Sequence, residues 1–270
     1  MQLMKEQVIF DVGMHTGKDT DYYLKKGFKV IAIEANPALV KINRDTFEKF
    51  LLSGSLTICD VAIANCEGEI NFYINDQHDD WGTISSDFAS RNEKLGTQNK
   101  IIKVKSQRFS TLLEKYGIPY YLKIDIEGAD ILCLEGLENF DQKPKYISIE
   151  SGLTSFEETF GELSLLWRLG YKSFKIINQA NNEKLRCPNP ALEGLFVDYK
   201  FDSTSSGMFG EELLGEWMTI EDTIIKYRYL LSEQKWFGAN GKLYQTFFHR
   251  AYNLLKGERV GWYDFHAKLG

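Results

Sequence analysis

Residues 8–34 read VIFDVGMHTGKDTDYYLKKGFKVIAIE. A short apolar run ends in Asp11-Val12-Gly13, and a turn carrying Gly13 and Gly17 follows. The pattern over residues 16–26 then predicts a helix that stops at Gly27, and a second apolar run, residues 28–34, ends in Glu34. Strand, glycine turn, helix and strand make the unit from which parallel sheets are built. In such sheets ligands bind outside the carboxyl ends of the strands, so the residues that end each run matter most.

The alternation continues outward. Pro37 stands at the expected first position of a helix reaching to about residue 52, where a missing N–H costs nothing. Residues 56–61 and 69–74 read as strands, and residues 75–99 form a polar stretch without periodicity. That stretch holds His78-Asp79-Asp80-Trp81 and Thr83-Ile84-Ser85-Ser86, either a flap over a ligand or a solvated loop. Strands are predicted at 100–105, 120–125 and 145–150, helices at 109–116, 129–137 and 155–169, and closing strands at 172–177 and 194–199. The sheet is therefore expected to be mainly parallel, with helices on both faces. Residues 201–270 change character: they are rich in aromatics and largely helical in pattern, which divides the chain into a domain over 1–200 and an extension over 201–270.

Composition bounds the function. With 43% hydrophobic and 26% charged residues among 270, the chain has the make-up of a folded protein. A net charge of −6 with no basic stripe argues against nucleic acid as partner. No apolar run approaches the ~20 residues of a membrane span. The apolar stretch Val8-Ile9-Phe10 is too short for a secretory signal, and the cysteines Cys59, Cys66, Cys133 and Cys187 form neither a CxxC pair nor a Cys/His cluster. Free thiols in a reducing cytoplasm are expected, with no zinc site.

Five strand-like runs end in or beside a carboxylate: Asp11, Glu34, Asp60, Asp125 and Glu150. The first turn admits three nucleotide readings. A P-loop needs a longer glycine spacing, and Asp19 stands where its hydroxyl should be. A dinucleotide fold needs GxGxxG, and His15 sits between the two glycines present. The third reading is the DxGxxxG loop that holds the amino-acid end of S-adenosylmethionine. Glu34 lies 21 residues after Gly13, where an acid accepts hydrogen bonds from ribose hydroxyls; an acid ahead of Pro37 also suits a helix N-terminus.

The strings IFDVGMHTGKDT, VIAIEANP, CDVAIANCEGEINFYI and YLKIDIEGADILCLEG together resemble the FkbM family of S-adenosylmethionine-dependent methyltransferases. The most specific is Leu122-Lys123-Ile124-Asp125-Ile126-Glu127-Gly128-Ala129-Asp130, similar to the family's LKxDxEGxE, with Asp130 for its usual Glu. The first turn resembles DVGxNxG, with His15 for Asn. In the tail, Ser205-Ser206-Gly207-Met208-Phe209-Gly210 and Trp262-Tyr263-Asp264-Phe265-His266-Ala267 are similar to segments in a subset of the family.

The resemblance implies a Rossmann-like class I methyltransferase sandwich: an α/β fold with a mainly parallel seven-stranded sheet, here with a mostly helical C-terminal extension. It implies S-adenosyl-L-methionine as cofactor. Asp11, Gly13, His15 and Gly17 are expected along its methionine end, Glu34 and Ala35 at the ribose, Asp60 and Val61 along the adenine, and Asp125 near the transferred methyl. A hydroxyl acceptor also needs a base. The candidates are Asp125, Glu127, Glu150, His15 and His266, of which Asp125 and Glu127 are preferred. Glu150, Ser205, Ser206 and His266 are expected on the acceptor side. Asp125, Glu127 and Asp130 could suggest magnesium, but Glu127 and Asp130 fall on the opening turn of a predicted helix, and no metal is expected. The expected reaction is O-methylation of a small hydroxylated molecule: a sugar, glycan or secondary metabolite. N-methylation of a small amine and non-catalytic nucleoside-cofactor binding are the alternatives, and neither a nucleic acid nor a membrane partner is expected. The aromatic tail is read as a cap over the acceptor, as plain core packing or as a homodimer contact.

Overall fold

The structure is a computed structural model that describes residues 7–151, 155–202, 204–238, 241–257 and 259–270. Its elements run β1 (Val8–Val12), α1 (Lys18–Lys25), β2 (Lys29–Glu34), α2 (Pro37–Thr46), α3 (Glu48–Ser53), β3 (Leu56–Asp60), β4 (Ala62–Ile63), β5 (Gly68–Asn75), α4 (Ser86–Lys94), β6 (Asn99–Gln107), α5 (Phe109–Tyr116), β7 (Tyr121–Ile124), α6 (Ile131–Leu137) and β8 (Tyr146–Ser151). They continue with α7 (Phe156–Arg168), β9 (Tyr171–Asn178), α8 (Ile220–Phe237), α9 (Phe247–Lys256) and β10 (Tyr263–Leu269). The fold is α/β and Rossmann-like. Its seven-stranded sheet has the order β3-β2-β1-β7-β8-β10-β9, and β4-β6-β5 form a small second sheet. The chain divides into two compact units, one ending at Ile147 and one beginning at Ser148. No helix among the described residues is long and apolar enough to cross a membrane.

In the first unit β3, β2, β1 and β7 are parallel neighbours. β1, β2 and β7 are buried along nearly their whole length, as strands covered on both faces must be. Three buried charged residues break that apolar pattern: Asp11 on β1, Glu34 at the end of β2 and Lys123 on β7. α2 starts where expected, with Pro37 in its first turn and the Asn36 side chain accepting from the Ala38 N–H at 3.0 Å. The helix predicted to run to residue 52 is interrupted at Phe47. That ring is buried, and a Cβ on Gly17 would come within 2.5 Å of it. The chain unwinds to bring Phe47 against the glycine turn.

The polar stretch after β5 contains a helix that periodicity did not show. α4 is capped by Ser85 and turns Ala89 and Asn92 inward, a small and a polar residue that leave no hydrophobic signature. A backbone bridge between Tyr73 and Thr83 pins the segment ahead of it.

In the second unit the strand expected at residues 194–199 is not formed, and Leu195 and Phe196 are exposed. The partner of β9 is β10, drawn from the tail and antiparallel to it. Residues Tyr263, Phe265 and Ala267 alternate with Asp264, His266 and Lys268, a strand period inside a segment read as mostly helical. Phe265 is buried with its ring centroid 5.3 Å from that of Tyr227. Phe265→Ala should therefore lower unfolding stability by about 3–5 kcal/mol, the usual cost of emptying a phenylalanine site in a core. Urea denaturation measures this, and a loss below ~1 kcal/mol would make β10 peripheral to the unit.

Candidate active site

The ends of β1, β2 and β7 meet at the Gly13 turn. The Gly13 and Met14 N–H groups both donate to the Ile33 carbonyl at 3.0 Å, and the Asp125 N–H donates to the Val12 carbonyl at 2.9 Å. Gly13 has φ 88°, and a Cβ there would overlap the Asp125 carbonyl oxygen. Glycine is thus required both by the backbone angle and by the approach of the neighbouring strand end.

Beneath this junction lies Lys123. Its ammonium, 5% exposed, donates to the Gly13 carbonyl at 3.1 Å and stands 3.4 Å from Asp11 Oδ1, 3.6 Å from Asp19 Oδ2 and 3.4 Å from Asp125 Oδ2. The other Asp11 oxygen accepts from Thr20 Oγ1 at 2.6 Å. A buried ammonium is tolerated only when so surrounded. Asp11 and Asp19 are themselves almost wholly buried, whereas the Asp125 side chain is 37% exposed.

Glu34 ends β2 as a buried carboxylate. One oxygen accepts from the His15 N–H and the other from the Asn36 N–H, each at 2.8 Å. Burial pushes its carboxyl up, and those backbone donors pull the other way. A carboxylate offers about four lone-pair positions. Two of Glu34's are filled by these bonds, leaving acceptor capacity for hydroxyl donors. His15 has φ 50°, and its carbonyl accepts from Asn43 Nδ2 at 2.6 Å. Its Nε2 lies 3.3 Å from Asp79 in the segment after β5. Gly17, at φ 79°, opens α1. Ala35 packs beside the apolar cluster of Ala62, Phe72 and Val104. Asp60 is in register with Glu34 on the neighbouring strand, half-exposed and 3.9 Å from Arg44; Val61 follows it, partly buried.

The loop after β7 carries Glu127 at φ 48°, a conformation that L side chains adopt at a cost. Three contacts fix it. Thr83 Oγ1 donates to the Glu127 carbonyl at 2.7 Å, Arg91 Nη2 lies 3.5 Å from the carboxylate, and the Phe88 ring covers Gly128. Burial, then the neighbouring Asp125 charge, pushes the Glu127 carboxyl up to about 8 against the pull of Arg91. Burial and Asp125 also raise Asp130 to about 6. The two Asp130 oxygens accept from the Ile126 and Gly128 N–H groups at 3.1 Å each, so this side chain braces the loop ahead of α6.

Asp11, Gly13, His15, Gly17, Glu34, Asp125 and Glu127 are thus joined in one network at the strand ends. Lys123, Asp19 and Arg91, which the sequence reading did not single out as site residues, belong to it too, as do Asp79 and Thr83 from the stretch read as either a flap or a solvated loop. The remaining candidates lie in the second unit. Glu150 is half-buried on β8, and Ser206 is partly buried. Ser205 is buried with its hydroxyl donating to the Asp202 carbonyl at 3.0 Å. His266 lies buried on β10, where burial and then the Lys175 charge push its imidazole down to about 3, so the ring is neutral at physiological pH.

Two outcomes follow. Lys123→Met should cost about 3–5 kcal/mol, because it leaves buried carboxylates uncompensated. Adding Asp11→Asn should recover part of that loss; an additive double variant in urea denaturation would deny the coupling. For Glu127, folding raises the pKa from 4.5 to about 8. The folded state therefore binds the proton more tightly. The stability this contributes is complete below about pH 4.5 and is lost as pH rises through about 8. Glu127→Gln, which mimics the protonated form, should flatten that part of the stability curve; a variant that loses stability as steeply as the parent between those limits contradicts the assignment.

The family model described as "Methyltransferase FkbM domain" matches residues 11–173. Similar solved structures include a methyltransferase FkbM from Methylobacillus flagellatus KT, at 14% identity and TM-score 0.43, covering 65% of this chain and 42% of that one. Another is the precorrin-6y C5,15-methyltransferase from Geobacter metallireducens GS-15, at 14% identity and TM-score 0.37, covering 66% and 69%. A SAM dependent methyltransferase from Archaeoglobus fulgidus matches at 10% identity and TM-score 0.38, covering 97% and 86%. The match thus spans under half the length of the Methylobacillus chain. No curated protein matches this chain.

Proposed function

This chain belongs to the FkbM methyltransferase family, and we propose that it transfers the methyl group of S-adenosylmethionine to a hydroxyl of a small acceptor, a sugar, glycan or secondary metabolite. The observation that carries the cofactor reading is Glu34: a buried carboxylate at a strand end, beside the glycine turn, with acceptor capacity left over. A ribose diol supplies the two donors such a group lacks.

S-adenosylmethionine supplies the methyl group on a sulfonium, a positively charged centre. The chain's residues suit that charge: the carboxylates of Asp11, Asp19 and Asp125 gather within 3.6 Å of the Lys123 ammonium at this junction. Asp125, the most exposed of the three, is the one placed to meet a cationic ligand. Gly13 and Gly17 keep the turn free of side chains, which lets backbone approach the ligand closely.

Glu127 takes the acceptor's proton. A general base works best with a pKa near the operating pH, and this carboxyl is raised to about 8. Arg91 at 3.5 Å steadies the charged form. Cys59, Cys66 and Cys133 are free thiols, in keeping with a reducing cytoplasm.

Glu34→Ala should weaken binding of S-adenosylhomocysteine by roughly 2–4 kcal/mol in calorimetry, two charge-assisted hydrogen bonds being lost. Unchanged affinity removes the ribose assignment. Glu127→Gln should keep that affinity and lose about 10²–10⁴-fold in turnover on a hydroxyl acceptor. Retained turnover moves the base elsewhere, and a parent enzyme that methylates only amines in an acceptor screen replaces the hydroxyl reading.

A further inference from the structure

The second unit holds a groove of about 580 Å³ lined by Lys184, Tyr244, His249, Arg250, Asn253, Leu254, Gly257, Arg259 and Val260. Its size is that of a small-molecule site. Its described lining is basic. Two arginines, a lysine and a histidine line it, and no acidic residue does among the described residues. The chain as a whole carries a charge of −6.

The walls are built, not accidental. His249, Arg250, Asn253, Leu254 and Gly257 recur at helical spacing and form one face of α9 and its C-terminal cap. The opposite side comes from the 3-10 turn Gln179–Lys184 and from residues 259–260. Asn178 ties these two segments together: its Nδ2 donates to the Arg259 carbonyl at 2.7 Å and its Oδ1 accepts from the Ala180 N–H at 3.1 Å. Gly261 lies so close to Ala180 that a Cβ on it would overlap the alanine side chain. α9 is anchored by Tyr252, stacked on Phe237 at 4.0 Å and donating to Glu233 at 2.5 Å.

Two lysines elsewhere in this unit have carboxylate partners. Lys256 has Glu233 at 2.7 Å, and Lys268 has Glu211 at 2.7 Å. Among the described residues, Arg250 and Arg259 have no carboxylate within ion-pair distance, and Lys184 meets only the Asn181 amide at 3.3 Å. Arg250 also stands in the first turn of α9, where the helix dipole disfavours a cation, so helix stability does not account for it. A buried oxygen of the Asn253 amide lacks a partner among the described residues, while its nitrogen sits 3.1 Å from His249 Nε2. A half-turn of that amide satisfies the oxygen with the ring N–H.

We infer that this groove binds the phosphoryl or pyrophosphoryl group of a small organic phosphate. The arginine forks and the lysine take the anionic oxygens, and the Tyr244 ring and Leu254 offer apolar surface to the organic part. The inference does not rest on the methyl-transfer reading, since binding is measured without turnover.

Calorimetry with inorganic pyrophosphate on the full chain tests it. The parent should bind, and Arg250→Ala and Arg259→Ala should each weaken binding about tenfold, one charge-assisted contact apiece. Lys41→Ala, an exposed lysine of the first unit, should change nothing. Circular dichroism checks that each variant remains folded. Arg250→Lys separates fork from charge, and partial rescue supports the assignment. The proposal is overturned by absent pyrophosphate binding, by binding that sulfate displaces equally well, or by loss equal in Lys41→Ala. It is equally overturned if only phosphatidylglycerol vesicles bind while pyrophosphate does not.

Discussion

One ammonium organises the first unit. Lys123 is buried between β1, α1 and the end of β7, and its charge is tolerable only because Asp11, Asp19, Asp125 and the Gly13 carbonyl surround it. Those partners come from separate segments of the chain. Satisfying the ammonium therefore fixes where the glycine turn sits against the loop after β7, which is where the candidate chemistry lies. A hydrophobic residue at this position could fill the same volume, but it would leave Asp11 buried without an ion partner. The network is best understood as a positional constraint, not as net stability, since buried ion pairs seldom exceed an apolar substitute in energy.

Backbone strain lies at the same junction. Among the described residues only His15, Glu127 and Gln245 adopt positive φ without being glycine, and the first two stand on the turns that Lys123 brings together. Each is held by contacts from elsewhere: the His15 N–H by Glu34, its carbonyl by Asn43, and the Glu127 carbonyl by Thr83. Strain of about 1–3 kcal/mol per residue persists only where surroundings over-determine it. Here the determining groups include the Glu34 carboxylate, proposed to hold the ribose, and the segment after β5. That polar segment thus acts on the loop carrying Glu127 through Thr83, Phe88 and Arg91.

The strand ends were readable because apolar runs and the glycines between them follow simple periods. Asp11, Glu34 and Asp125 could be singled out from position alone, as could Phe109–Tyr116, whose bounds agree with α5. Lys123 could not. In a strand buried on both faces every side chain is internal, so a lysine in Tyr121–Ile124 cannot be assigned to a solvent side. Its charge is the signal, and only the partners brought from distant segments give that signal meaning. α4 escaped for the opposite reason, its inward face being small and polar, and β10 because aromatics at short spacing fit helix and strand alike. The second unit's groove was likewise illegible: Lys184 is far from Arg250 and Arg259 in sequence, and only folding places all three on one cavity.

Net charge conceals this arrangement. A value of −6 describes the solubility and long-range field of the whole chain. The two sites depart from it in opposite directions. Around Lys123 three carboxylates lie within 3.6 Å of the ammonium, which suits the positive ligand proposed there. In the groove of the second unit, the basic side chains have no acidic neighbour on the lining among the described residues, which suits the negative ligand proposed there. Neither polarity helps folding, because like charges brought together in a partly desolvated site repel. In both places like charges gather where a ligand of opposite sign would relieve their repulsion, and that relief is the physical ground of the two proposals.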